Sequence, residues 1–272
     1  MRMIHQVATI IVTILMLTLV GCKSSDIGES MSAEDRFERG KQRFANKDYL
    51  EAIEDFSAVT LQYPGSAVAD DAQYQLGECR FQREEYLLAA YEYEALKRSM
   101  PASPLVPMAQ YKIGLCYYTL SPKPPLDQKY ARRAIDEFQA FIEYYPTHEL
   151  VPDAEAKIRE LNNRLAEKDY RTGVLYMKME YYKAALFYFD NVLEKYHDSD
   201  FAESAHYGKI EALYYRKKYQ EARDEVDKFL ARHPNSKLKS SVESMRESIE
   251  KNLKAQSVGF GTLDSTRLVR QQ

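Results

Sequence analysis

One spacing of small residues recurs along this 272-residue chain and narrows what it can fold into. Gly40 is followed twelve residues later by Ala52 and twelve later again by Pro64. Gly77, Ala89 and Pro101 repeat the pattern, and Gly114, Ala134 and Pro146 repeat it with eight extra residues in the first gap. Gly173, Ala185 and His197 follow with His for Pro, then Ile210, Ala222 and Pro234 with Ile for Gly. Aromatic residues keep the register. Three before the small residue stand Phe37, Tyr74, Tyr111, Tyr170 and Tyr207; four after the alanine stand Phe56, Tyr93, Phe138, Phe189 and Val226. Self-similarity at a fixed period is the signature of a repeat architecture.

Each repeat reads as a helical hairpin. Phe37, Gly40 and Phe44 fall at i, i+3 and i+7, one face of a 3.6-residue period. Glycine there, and alanine on the partner helix, let the two helices approach closely. Proline ends the second helix, because it lacks the N–H and clashes with the preceding turn. A single hairpin cannot bury its apolar face, so hairpins stack on their neighbours. This is the tetratricopeptide pattern. It predicts an all-α superhelix of five hairpins, two over residues 33–104 and three over 105–235.

Two irregularities interrupt the period. Ser121-Pro122-Lys123-Pro124-Pro125-Leu126 carries three prolines and predicts a protruding loop inside the third unit. From Pro146 to Gly173 the gap is fourteen residues longer than the usual thirteen. That predicts one extended helix over about 151–179, with Pro152 in its first turn. A polar helix over 236–255 is expected to cap the array. The aperiodic stretch 256–272, with two glycines, is expected to be disordered.

The N-terminus is of another kind. A charged start at Arg2, an apolar run from Val7 to Leu19 and small residues before Cys22 describe a secretory signal. The run is shorter than the roughly 20 apolar residues of a spanning helix. Leu19-Val20-Gly21-Cys22 resembles the bacterial lipobox. That resemblance implies cleavage between Gly21 and Cys22 (residues 1–21 being the signal), acylation of Cys22, and a tether over 22–32. Lys23, rather than Asp, after the cysteine implies the outer membrane, with the chain lipid-anchored and facing the periplasm.

Composition excludes several functions. Basic and acidic residues number 38 and 41 and are interspersed, so nucleic acid is not an expected partner. Cys79 and Cys116 alone do not make a disulfide framework, and their equivalent positions suggest buried small residues. His148, His197, His206 and His233 sit at or near predicted turns without metal-ligand spacing. No phosphate-binding glycine loop or nucleophile elbow is present. The reading is therefore a non-enzyme with no catalytic residue, metal or cofactor. Repeat arrays of this kind bind peptides along the first helices of their hairpins. The candidate groove is Phe37, Phe44, Tyr74, Phe81, Tyr111 and Tyr118, set against the alternative that both columns are inter-helix core.

A lipobox followed by five such repeats resembles the BamD family. The likeness is specific in the third and fourth units. It runs through Asp127-Gln128, Ala131-Arg132-Arg133-Ala134, Phe138 and Tyr145-Pro146-Thr147, then Asp153-Ala154, Asn163-Arg164-Leu165-Ala166-Glu167, Tyr170, Tyr181-Tyr182 and Leu193-Glu194-Lys195-Tyr196-His197. It departs at His197, where proline is expected, and in the longer tail. The resemblance implies a non-catalytic scaffold for inserting outer-membrane β-barrels. Its N-terminal units would receive unfolded substrate strands, and its C-terminal units would hold the large barrel subunit through its periplasmic domains. A tetratricopeptide lipoprotein of another envelope machine, a pilus pilotin or a cell-division coordinator, is the alternative.

Overall fold

The computed structural model describes residues 31–256 in full and 257–269 by backbone. The signal, Gly21, Cys22 and most of the expected tether lie outside the described residues. The chain is all-α, and no strand occurs among the described residues. It divides into two compact units, 1–72 and 73–272.

The first unit holds the hairpin of α1 (Ala33–Ala45) and α2 (Tyr49–Gln62). Ser32 caps α1, its Oγ accepting from the Asp35 N–H at 3.0 Å, so a helix N–H without an intrahelical partner is satisfied at the expected start. Ala52, Phe56 and Val59 of α2 are fully buried. A Cβ built on Gly40 would sit 2.6 Å from Cε1 of Phe56, so only glycine admits that ring. Buried Asp55 accepts from Arg39 and from Arg43, the latter at 2.8 Å.

Helix α3 (Ala69–Gln82) leads into the second unit, where it pairs with α4 (Tyr86–Ser99). There follow α5 (Val106–Leu120) with α6 (Lys129–Tyr144), α7 (Val151–Lys178) with α8 (Tyr182–Lys195), α9 (Ala202–Tyr215) with α10 (Tyr219–Arg232), and α11 (Lys239–Val269). Each helix from α4 to α10 packs on the next, which is how neighbouring hairpins bury their apolar faces. Helix α7 runs unbroken from Val151 to Lys178. At 28 residues it is about 42 Å long. Helix α11 does not stop near 255. The structure carries it to Val269, because no proline follows Pro234 and two glycines cost only about 1 kcal/mol each relative to alanine.

The hairpin turns repeat in detail. Lys47, Glu84, Glu180 and Lys217, each five before the repeat alanine, adopt positive φ between 59° and 67°. The left-handed conformation reverses the chain in one residue, and a backbone N–H reaches back to cap the first helix: Lys47 N to Phe44 O at 2.9 Å, Glu180 N to Met177 O at 3.0 Å. The third unit, with its loop, has no such residue. The second helices all end alike. Tyr63, Met100, Tyr145 and His233 hold φ near −130° before proline, and Tyr196 holds −131° before His197. The shared geometry before His197 shows that packing, as well as proline, sets the stop.

Candidate interaction surface

The six groove candidates divide by depth. Phe37 and Tyr111 are buried and Tyr74 is half-buried. Their rings lie on the core aromatics of their own hairpins: Phe37 on Phe56 at 5.6 Å, Tyr74 on Tyr93 at 5.5 Å, Tyr111 on Phe138 at 5.6 Å. Burial, with Glu78 for Tyr74 and Asp153 for Tyr111, raises both phenol pKa values. This column is hairpin core.

Phe44, Phe81 and Tyr118 are only half-buried. Phe44 meets Tyr49 at 5.4 Å and Phe81 meets Tyr86 at 5.1 Å, each edge-on. Lys112 Nζ lies 5.2 Å from the centre of Phe81. Tyr118 is flanked by Lys157 at 4.9 Å and Arg164 at 5.3 Å, and its hydroxyl donates to Glu160 at 2.5 Å. The hydrogen bond from Tyr118, then Arg164, holds Glu160 below the usual carboxylate range. Cations over aromatic faces are worth roughly 0.5–1 kcal/mol at exposed sites, a modest barrier to a competing ligand.

The sequence motifs in α7 form a bracket. Asn163 donates to Asp200 Oδ2 at 2.8 Å and accepts from its backbone N–H at 3.0 Å, fixing the α8–α9 turn. One turn along, Lys168 donates to the Leu126 carbonyl at 2.8 Å and Arg164 reaches Ser121 Oγ at 3.4 Å, holding the proline-rich loop. Gln128 is fully buried beneath that loop. Its Nε2 donates to the carbonyls of Lys123 at 2.9 Å and Leu126 at 3.1 Å. The loop is thus clamped at several points.

A polar column went unnoticed in the sequence. Four before the small residue, Gln73 and Gln110 each donate to both the backbone and the carboxylate of a glutamate three after the alanine, Glu92 and Glu137. His206 and Glu225 occupy the same two places, 3.2 Å apart. His206 is therefore a buried helix residue of α9, a correction to its placement near a turn. The signal was available: a polar residue four before Gly77, Gly114 and Ile210 breaks an otherwise apolar face. Cys79 and Cys116 are buried free thiols, pushed up to about 12 by burial. No group of His, Cys, Asp and Glu among the described residues is arranged to hold a metal.

Residues 29–205 match the model of the YfiO family, described as outer membrane lipoprotein. The chain belongs to that family. The match covers the first four hairpins and the start of α9. A relative from Rickettsia prowazekii (strain Madrid E), the outer membrane protein assembly factor BamD, is 26% identical over 223 residues, 81% of this chain and 89% of the relative. Among solved structures, a tetratricopeptide repeat protein from Bacteroides fragilis is 16% identical, covering 82% of this chain and 99% of that one with a TM-score of 0.43. The TPR2AB domain of yeast Sti1 is 15% identical, covering 87% and 90% with a TM-score of 0.41. Overlaps this loose carry no weight here. Family membership and the helical-hairpin fold indicate a non-catalytic scaffold. No helix among its described residues is long and apolar enough to cross a membrane.

Proposed function

We propose that this chain is a scaffold in the assembly and insertion of β-barrel proteins at the outer membrane. The family match over residues 29–205 carries the reading, supported by a relative named as an outer membrane protein assembly factor. In this reading Cys22 is acylated and holds the chain on the periplasmic face of the outer membrane. The C-terminal hairpins bind the large barrel subunit through its periplasmic repeat domains. Unfolded substrate strands are received through aromatic side chains that remain partly exposed, Phe44 in the first unit and Phe81 and Tyr118 in the second. Buried Phe37 and Tyr111 belong to the hairpin core and are left out of this contact surface.

Depletion and co-purification test the proposal together. Depleting the chain should lower the steady-state level of outer-membrane barrels. A tagged chain extracted in mild detergent should bring down a large barrel with periplasmic repeat domains in near-stoichiometric amount. Co-purification of pilus or peptidoglycan-linked proteins, with barrel levels unchanged, would overturn it in favour of another envelope machine.

A further inference from the structure

The first unit has one corner unlike its counterparts. From Ala58 to Ala69, across the end of α2 and the turn into α3, no residue carries a charge. The same places in the later units hold Lys97 and Arg98, then Glu143 and Glu149, then Glu194, Lys195, Asp198 and Asp200, then Lys228, Arg232, Lys237 and Lys239. Leu61 stands where the second, third and fourth units have Arg98, Glu143 and Glu194, and it is 80% exposed. Gln62, Pro64, Gly65 and Ala67 are exposed beside it, and Tyr63 is half-buried. The turn is ordered, the Ser66 N–H donating to the Tyr63 carbonyl at 3.0 Å. A lone exposed leucine is ordinary; a charge-free corner around it, in a chain that is 29% charged, is not.

The chain toward Cys22 leaves from this corner. The Tyr63 hydroxyl donates to the Met31 carbonyl at 3.3 Å, and Ser32 caps α1 one residue on. Nine residues separate Met31 from Cys22, the acylated residue of the proposed function. Even fully extended, such a segment spans at most about 32 Å. An anchored chain therefore keeps Leu61 and Tyr63 close to the bilayer. Charge says which lipid surface fits. Glu34 and Asp35 in the first turn of α1, and Asp70 and Asp71 in that of α3, border the corner. Against them stand Lys23 and Arg36, and Arg36 makes no ion pair among the described residues. The surroundings are acidic on balance, which suits zwitterionic headgroups and disfavours an anionic surface. Leucine enters the boundary between headgroups and acyl chains, and tyrosine is at home at headgroup level.

We propose that the corner between α2 and α3 rests on a zwitterionic phospholipid surface, with Leu61 inserted into it and Gln62 and Tyr63 at headgroup level. The contact fixes how the first hairpin is presented: Phe44, at the other end of α1, stays clear of the lipid. The inference rests on the acylation of Cys22 in the proposed function and goes beyond it, since an acyl chain alone sets no orientation.

The test places the full acylated chain on phosphatidylcholine vesicles, with a nitrobenzoxadiazole dye on Gly65→Cys. A Cβ at Gly65 meets nothing within 4 Å, so the site accepts a side chain. Cys79 and Cys116 are buried and the Cys22 thiol is acylated, which leaves one thiol to label. Ala102→Cys, the equivalent place in the second unit, is the control. Nitroxide lipids should quench the dye at 65 at least about threefold more than the dye at 102. Leu61→Ser should remove roughly half of that difference with the far-ultraviolet circular dichroism unchanged, since the side chain is mostly exposed. Replacing about a third of the lipid with phosphatidylglycerol should not raise the quenching. Equal quenching at the two places, indifference to Leu61→Ser, or quenching that grows with phosphatidylglycerol would overturn the proposal. Flotation separates the two readings. A chain that does not float with the vesicles overturns the acylation of Cys22 and this inference with it. A chain that floats with its dye at 65 unquenched overturns this inference alone.

Discussion

A methyl group added at Gly77 would stand 2.4 Å from Cε1 of Tyr93, inside the space the ring fills. Tyr93 is fully buried, and its hydroxyl donates to Glu78 at 2.5 Å, so the ring cannot swing aside without losing that bond. Gly77→Ala should therefore destabilise the second unit. Overpacking of this kind costs about 1–3 kcal/mol, against roughly 1 kcal/mol gained in helix propensity. A Cβ at Gly65 meets nothing within 4 Å, and Gly65→Ala should stay within about 0.5 kcal/mol of the parent. Urea unfolding midpoints of the two variants decide it; equal midpoints would contradict the steric account.

Glu225 governs part of the response to acid. The hydrogen bond from His206, then Lys228 and Lys209, holds its carboxyl at about 2. Unfolded, a glutamate titrates near 4.3, so below that pH the unfolded chain binds a proton that the folded chain refuses. The contribution of Glu225 is thus present in full above about pH 5 and is lost as pH falls through 4.3 toward 2. Glu225→Gln should flatten this part of the acid limb when stability is measured from pH 6 to pH 2. His206→Gln restores the glutamine found at Gln73 and Gln110, and it should fold; His206→Leu should cost about 1–3 kcal/mol by leaving the carboxylate short of a donor.

The hairpins were legible because their register rests on steric pairs that leave a direct trace in sequence. Gly40 faces Phe56, Gly114 faces Phe138 and Gly173 faces Phe189. The exception is legible too: where Ile210 replaces glycine, Val226 replaces the aromatic, and both are fully buried in one core cluster. Gly208 was not recognised, because it lies off the repeat spacing and meets Phe189 from the next hairpin. The cleft lined by Tyr181, Phe187 and Arg216 escaped for a related reason. Tyr181 and Arg216 come from the turns of consecutive units, and a column drawn along one helix position never brings them together. Phe37 and Tyr111 could not be assigned to core or groove from spacing, since one helix face serves both purposes until the partner helix is placed.

Cys79 and Cys116 should be inert while the chain is folded. Both are fully buried, and burial pushes each thiol to about 12, so almost no thiolate is present at neutral pH. In residues 23–272 they should react with a thiol reagent only as fast as the second unit opens, and fully in denaturant. Gly77→Ala, two residues from Cys79, should accelerate the reaction in proportion to its loss of stability. Rapid native labelling of either thiol would show that this core opens far more readily than its packing implies.

Gln128 should decide whether the proline-rich loop keeps its shape. Prolines at 122, 124 and 125 supply no N–H, so the loop carbonyls must find donors elsewhere. Gln128 Nε2 serves Lys123 and Leu126, while Lys168 serves Leu126 from α7. Gln128→Ala removes the inner donor and should cost about 1–3 kcal/mol, with faster hydrogen exchange at the Leu126 amide. Gln128→Glu has the same size but turns a donor into a second acceptor facing carbonyl oxygens. It should be the worse variant near neutral pH and recover toward the alanine variant in acid, where a protonated carboxyl donates again. If the two variants exchange alike at every pH, shape rather than hydrogen bonding holds the loop.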